Sequence, residues 1–266
     1  MLTTVTTATL TFFGCSDSQG VPRWWCACPV CEEARRDGRN RRTRPSCLFE
    51  GAGEHVLLDA APEFRLQASR HRLKSLDAVL VTHAHNDHVA GLPDVGDFTR
   101  WTGARCPVYA PAEVASALQA RYGYLFAPGS RFTGRFPLVP LEEAHRSFAG
   151  YTLTAVKVPH GFNGHSYAFR FEREGRTWGY MPDCLGLEDL APWRELELLV
   201  LGTSFYREDA PLESRSVYDV QEALELLSEL RPKRAIFTHL GHGVDVSQPV
   251  PEGTGYAFDG MEVVLP

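Results

Sequence analysis

The sequence predicts one α/β domain over residues 1–266, with two β-sheets packed face to face and helices outside them. Three observations carry that expectation. Strand-length runs fall into two groups along the chain, each group is followed by helical patterns, and 44% hydrophobic residues in a 266-residue chain can fill a substantial core.

Val5 to Phe13 alternates and is rich in Thr and Phe, so it reads as a strand that runs into a polar turn from Gly14 to Gly20. Ser46 to Glu50 and His55 to Asp59 read as a hairpin joined by Gly51-Ala52-Gly53, with Asp59 at a strand end. Ala78 to Thr82 is a continuous apolar run, the pattern of a strand covered on both faces. Pro111 to Arg121 opens with Pro and is Ala-rich, which suits a short helix, and the aromatic, Gly- and Pro-containing stretch from Tyr122 to Gly134 suits a loop. Tyr151 to Val158, Ser166 to Glu172 and Arg176 to Met181 read as three successive strands, the last two joined tightly through Glu174-Gly175. Leu198 to Gly202 is a further strand. Val217 to Leu230 places Val220, Leu224, Leu227 and Leu230 on one helical stripe ahead of a strand from Arg234 to Thr238. Tyr256 to Leu265 reads as two short strands. No internal repeat and no low-complexity linker interrupts this order.

Composition excludes some classes of function. No stretch has the apolar length of a membrane span, and Met1 to Ala8 lacks the basic start and apolar core of a signal peptide, so a cytoplasmic protein is expected. A formal net charge of -6 argues against a surface that coats nucleic acid, while leaving room for a local basic site. The seven cysteines are odd in number, and Cys26, Cys28 and Cys31 crowd together at a spacing better suited to a metal than to a disulfide framework.

Chemistry concentrates in Thr82-His83-Ala84-His85-Asn86-Asp87-His88, four metal-ligand side chains in six positions directly after a buried strand. Extended backbone points His83 and His85 the same way, and a turn into a helix then presents Asp87 and His88 to an adjacent point, giving two neighbouring metal sites. Imidazole and carboxylate ligands suit Zn(II), Fe(II) or Mn(II), and two close cations need an anion between them. His160, Asp183 and His239 each follow a strand and are the remaining candidates. Taken singly, any of them reads as well as a hydrogen-bonded core or surface residue.

The series His83-x-His85-x-Asp87-His88, followed by isolated His160, Asp183 and His239, resembles the ligand series of the metallo-β-lactamase superfamily. That resemblance implies an αββα four-layer sandwich. It implies one metal on His83, His85 and His160, a second on Asp87, His88 and His239, and Asp183 bridging them. It also implies that Asp59 supports the ligands without being one. His85 stands where a diiron flavoprotein branch of this fold carries Glu, which favours hydrolysis over redox chemistry.

Cys26-Ala27-Cys28-Pro29-Val30-Cys31 offers three thiolates, and a tetrahedral zinc needs a fourth ligand. His242, three residues beyond His239, is the best candidate, with reduced, partly buried cysteines as the alternative. Cys15, Cys47, Cys106 and Cys184 are isolated and are expected in the core. The segments Gly14 to Cys31, Thr238 to His242 and Asp259-Gly260-Met261-Glu262 resemble the phosphoribosyl cyclic phosphate phosphodiesterases of phosphonate breakdown, whose Cys-x-Cys-x-x-Cys series and late His hold a structural zinc. The related branch similar to the B protein of pyrroloquinoline quinone biosynthesis shares the cysteines and does different chemistry. This chain departs from the phosphodiesterases in Gly202-Thr203-Ser204-Phe205, where they carry a histidine.

These readings predict a hydrolase with two active-site divalent metals (Zn or Mn, with Fe as an option) and one structural Zn, acting on a small phosphodiester through a metal-bridging hydroxide. His165, in Gly161-Phe162-Asn163-Gly164-His165, is the candidate general acid, and Asp87 and Asp183 are the catalytic carboxylates. The basic run from Arg35 to Arg44 can meet phosphate or nucleic acid, or be a solvated loop. Trp24, Trp25 and Tyr122 to Phe126 can stack on a base, or pack around the cysteine loop and core. An RNA-processing nuclease, an iron-dependent oxygenase and a non-catalytic metal binder are the competing classes. A small-molecule substrate is the expected partner, and homodimerisation stays open.

Overall fold

The computed structural model of the protein describes residues 7–36, 38–144 and 146–266. Residues 1–6, which include the start of the strand expected from Val5 and most of the segment read for a signal peptide, lie outside the described residues, as does Asp37 in the arginine-rich run.

Thirteen strands among the described residues pair into two sheets. The first contains β1 (Thr9–Gly14), β2 (Ser46–Gly51), β3 (Glu54–Leu58), β4 (Ala78–Leu80), β5 (Val108–Ala110), β6 (Leu138–Pro140) and β13 (Glu262–Val264), in the order β13-β1-β2-β3-β4-β5-β6. The second contains β7 (Thr152–Pro159), β8 (His165–Arg173), β9 (Arg176–Met181), β10 (Leu198–Gly202), β11 (Ala235–Thr238) and β12 (Thr254–Tyr256), in the order β12-β11-β10-β9-β8-β7. In each sheet an antiparallel meander turns parallel: β3 to β6 run together in the first, and β9 to β12 in the second.

Side-chain alternation along the strands produces the layers. Val56 and Leu58 of β3 and Ala78 and Leu80 of β4 face the second sheet, where they share a core with Leu198 and Val200 of β10. The intervening Leu57 and Val79 face the other way, toward helices α4 (Leu92–Thr102) and α5 (Ala112–Arg121). Leu199 and Leu201 likewise face α7 (Val220–Leu230). Both faces of these strands are therefore apolar, which explains why they read as continuous runs, and the order helix, sheet, sheet, helix is the expected αββα sandwich. An aromatic cluster joins the sheets: Trp178 stacks on Phe171 at 4.2 Å and meets Phe49 of the facing sheet edge-on at 5.1 Å. Cys15, Cys47, Cys106 and Cys184 are buried, as expected.

Several boundaries differ for local reasons. The last helix starts at Val220, not Val217, because Asp219 caps it: the carboxylate accepts from Glu222 N–H while Glu222 reaches back to the cap N–H. Within it Ala223 is buried and Leu224 only partly so. The loop expected from Tyr122 contains a one-turn helix, α6 (Gly123–Phe126). Strands β5 and β6, three residues each, are too short to carry a periodic signal. Three further short helices are α1 (Pro29–Arg35), α2 (Phe64–Arg70) and α3 (Asn86–Val89). No helix among the described residues is long and apolar enough to cross a membrane.

Candidate metal centre

The parallel strands end on one rim of the sandwich, and their following residues converge there. His83 follows β4, His160 follows β7, Asp183 follows β9 and His239 follows β11, while Asp59 follows β3. Backbone beyond β4 is extended through His85 (φ -69, ψ 151), which precedes the single turn of α3 that carries Asp87 and His88. His83 Nε2 and His85 Nδ1 consequently face each other at 2.9 Å, as the H-x-H spacing predicts.

Three groups of ligand atoms form, each with its atoms within 4.8 Å of one another: His83, His85 and His160; His83, His88 and Asp183; Asp87, His88 and His239. His160 Nε2 is 3.3 Å from His85 Nδ1, and His239 Nε2 is 3.3 Å from Asp87 Oδ2. Asp183 lies between these groups, with Oδ2 at 3.3 Å from His83 Nε2 and 2.8 Å from His88 Nε2, and Oδ1 at 3.2 Å from His239 Nε2. Ligands about 2.0–2.1 Å from a tetrahedral zinc stand about 3.3 Å apart, so the separations of 3.2 and 3.3 Å fit a coordination shell. The chemistry of the buried atoms agrees. Asp183 Oδ1 and Oδ2 and His88 Nε2 are all buried without a directed hydrogen bond, an arrangement that is costly unless a cation satisfies them.

Electrostatics give the cage a demand for positive charge. Burial lowers the imidazoles of His83, His85 and His160 below their ordinary range, leaving neutral rings with free lone pairs. At His88 and His239 burial acts the same way, but the carboxylates of Asp87 and Asp183, with Asp59 beside His88, outweigh it and raise both. Burial penalises the Asp87 and Asp183 anions in turn, yet His88 and His239 hold both carboxyls well below the usual range.

A surrounding set of groups orients the ligands. Asp59 Oδ2 accepts from His88 Nδ1 at 2.8 Å, and Asp59 itself is held by Thr82 N–H and Oγ1. His160 Nδ1 donates to the Ser216 carbonyl at 2.7 Å, which leaves Nε2 as the lone-pair nitrogen turned toward His85. Asp59 and His239 both have φ of 57°, a left-handed conformation costing a non-glycine residue about 1–3 kcal/mol, maintained here by the packing around the cage. Gly202 has a different duty: a Cβ there would stand 1.6 Å from the Pro182 carbonyl, so only Gly lets β10 pass close behind Asp183.

The second cluster joins a loop to the far end of the chain. Cys26, Cys28 and Cys31 Sγ lie 3.3, 3.5 and 3.6 Å from His242 Nδ1, and the four form one ligand group. Sulfur and nitrogen ligands on one tetrahedral zinc stand about 3.5 Å apart, so Cys₃His fits. Cys28 also caps α1, accepting from Cys31 N–H. The backbone N–H of Cys28 lowers the Cys26 thiol, while burial pushes the Cys31 thiol up to about 11.

Other sequence candidates fall differently. His165 is exposed at the first position of β8, paired with Pro159, and belongs to none of the ligand groups. The basic run is neither a phosphate stripe nor a solvated loop throughout: Arg42 is buried and donates to the Leu240, Gly241 and Val244 carbonyls, and Arg44 pairs with Glu63. Trp24 and Trp25 do not pack into the core, being 85% and 54% exposed, whereas Leu125 is buried and Phe126 stacks on Phe136. Phe205 lies beside the cysteine cluster, 6.4 Å from the His242 ring with the Arg23 guanidinium 5.9 Å above it. Ser216, Thr82 and Asn163, whose Nδ2 is 3.3 Å from His160 Nε2, carry no motif that announces them. Their roles depend on contacts between distant segments.

A sequence model described as the Beta-lactamase superfamily domain matches residues 54–240. The chain is 30% identical to an octanoyltransferase of Porphyromonas gingivalis over 271 residues, covering 95% of this chain and 50% of that protein, so it spans about half the length of that relative. A crystal structure described as a new diphosphatase from the PhnP family superposes with a TM-score of 0.83 at 29% identity, covering 97% of each chain. Zn(2+)-bound PqqB from Methylobacterium extorquens superposes with a TM-score of 0.77 at 19% identity, covering 96% of this chain and 99% of that one.

Proposed function

The chain belongs to the beta-lactamase superfamily, and from that premise we propose that it is a metal-dependent hydrolase of small phosphodiesters with a dinuclear centre and a separate structural zinc. The observation that carries the reading is the position of Asp183, whose two oxygens reach His83 and His88 on one side and His239 on the other. One carboxylate between two incomplete shells is what two adjacent cations require. In this reading His83, His85 and His160 would hold one cation, Asp87, His88 and His239 would hold the other, and Asp183 stands between the two groups. The chemistry that zinc, manganese or iron would supply there, if bound, is a hydroxide nucleophile at neutral pH and neutralisation of charge on the phosphoryl oxygens.

The protein's own part is positional. Asp59 and the Ser216 carbonyl lock the rings of His88 and His160, so the cage meets its ligand without reorganising. Asn163 Nδ2, beside the His160 ligand atom, is placed to donate to a substrate oxygen. The leaving oxygen needs a proton, and exposed His165, five residues beyond His160, is the side chain assigned to deliver it. Phe205 has no exchangeable proton, so a substrate that relies on a histidine at that position is disfavoured. The 29% identical diphosphatase supports phosphoryl chemistry as the general class.

The test is a panel of phosphodiesters, lactones and thioesters given to protein of measured metal content. Phosphodiester hydrolysis that disappears on chelation and returns with metal is expected; hydrolysis confined to carboxylic esters overturns the reading. His165→Ala is expected to retain metal and to slow esters with poor leaving groups, with p-nitrophenolate release little changed.

A further inference from the structure

The cage histidines are held unequally at the ring nitrogen that faces away from the ligand group. His83 Nδ1 stands 3.0 Å from Thr82 Oγ1, His88 Nδ1 donates to Asp59, and His160 Nδ1 donates to the Ser216 carbonyl. His239 Nδ1 is buried and has no hydrogen-bond partner among the described residues. A metal-ligating histidine ordinarily has its second nitrogen tied down, which fixes the ring. At His239 that duty passes to the backbone, and the backbone there is left-handed, with φ of 57°.

The turn that follows holds this backbone in place. The Leu240 N–H donates to the Cys15 carbonyl and the Gly241 N–H to the Ser204 carbonyl, each at 2.8 Å. Arg42, 1% exposed, closes on the carbonyl side of the turn: Nε donates to Leu240 at 3.4 Å, and Nη2 to Gly241 and Val244 at 3.0 and 3.1 Å. Its Nη1 donates to Asn40 Oδ1 at 3.0 Å. These partners are neutral oxygens, and no carboxylate among the described residues pairs with the guanidinium. A buried cation without an anion is costly to place, and a planar fork is the basic side chain that can take several carbonyls at fixed angles. The turn that Arg42 encloses carries His239 of the cage and His242 of the cysteine cluster.

We infer that Arg42 is the positioning residue for His239, and that the turn from Leu240 to Val244 couples a cation on Asp87, His88 and His239 to a zinc on the Cys₃His cluster. This rests on the dinuclear reading above. Such coupling is reciprocal: filling the cluster tightens the second cage cation, and that cation tightens the cluster zinc by the same factor. A cation on His83, His85 and His160 stands outside it, because Thr82 and Ser216 hold rings of that group directly.

The test uses the full chain and Co(II) as probe, in competition with a chelator. Thiolate-to-cobalt charge transfer reports the cluster, and metal analysis counts the cage. Two backgrounds separate the cage sites: His85→Ala leaves the group of Asp87, His88 and His239, and His239→Ala leaves the other. Arg42→Lys keeps the charge and loses the fork, and is expected to weaken cage cobalt about 10- to 100-fold in the first background and less than about 3-fold in the second. Asn40→Ala, which removes the partner of Arg42 Nη1, gives a smaller loss with the same split, and decides the matter if Arg42→Lys does not fold. Cys28→Ser, which opens the cluster, likewise weakens the cage in the first background alone. Equal weakening in both backgrounds, the mark of a general loss of stability, overturns the proposal, as does a cage affinity that Cys28→Ser leaves unchanged. Two cage cations in a protein that hydrolyses no phosphodiester, with the Arg42 split intact, sink the substrate reading and keep the positioning role.

Discussion

The two metal-ligand clusters are built in opposite ways. The histidine and aspartate cage draws its atoms from the ends of β4, β7, β9 and β11, on both sheets, and its members other than His85 are buried. Sheet pairing, Asp59, Thr82 and Ser216 hold those side chains through contacts within the protein. The Cys₃His cluster instead takes three ligands from one turn and one from Thr238-His239-Leu240-Gly241-His242, with Cys26, Cys28 and His242 only partly buried. Its loop is anchored at the base by Arg42, on the carbonyls around Gly241, and by Thr43, which donates N–H and Oγ1 to Asp259. At the tip the ligand is the link. In the proposed reading, a metal in the cage would therefore be a reagent held by the fold, and a metal in the cysteine cluster would be a part of the fold.

Four measurements break or sharpen that contrast. The largest effect is expected from Asp183→Asn, which weakens the anion between the two shells: phosphodiester turnover should fall by roughly a thousandfold with little change in thermal stability. A large loss of stability instead would put the cage among the structural elements. Next, His242→Ala should release one equivalent of zinc and cost about 3 kcal/mol, part of what a structural zinc contributes to folding, read by metal analysis and denaturant titration. Two residues separate His242 from His239, so activity should also drop; unchanged stability would remove the Cys₃His site from the fold's supports.

Asp59→Asn tests how far the cage is pre-built. Losing the anion beside His88 Nδ1 should weaken metal binding or turnover about 10- to 100-fold, read by competition with a chelator. The smallest effect concerns the loop's base. Burial pushes the Asp259 carboxyl up to about 6, above its ordinary 3.8. A carboxyl raised on folding binds more protons in the native state between those values, so its contribution to stability is complete below about pH 4 and is lost as pH rises through 6. Wild type measured against Asp259→Asn should therefore gain roughly 1 kcal/mol between pH 7 and pH 5. A flat difference would place Asp259 outside the loop's pH response.

Legibility in the sequence followed the range of each interaction. The H-x-H-x-D-H run was readable because strand and single-turn geometry alone direct four ligands to two points, and the Cys-x-Cys-x-x-Cys turn was readable for the same reason. Buried strands such as Leu198–Gly202 were readable because both faces are covered, so every residue is apolar. Arg42 was misread because an arginine within a basic run gives no sign that carbonyls two hundred residues away will enclose it. Trp24 and Trp25 were misread because burial is the usual fate of tryptophan, and what remains open beside a loop is a property of the assembled surface.

By itself the sequence determined that a dense set of metal-ligand side chain types is present, and that two apolar-faced sheets would form. Tertiary structure alone decided that His160, Asp183 and His239 meet the H-x-H turn, that Ser216 and Asp59 set the ring orientations, and that Arg42 closes on the turn after His239. The physical reason is that periodicity and capping act over a few residues, whereas ligand-atom separations of 3.3 Å between distant segments are set by strand register and by which face of each strand is buried.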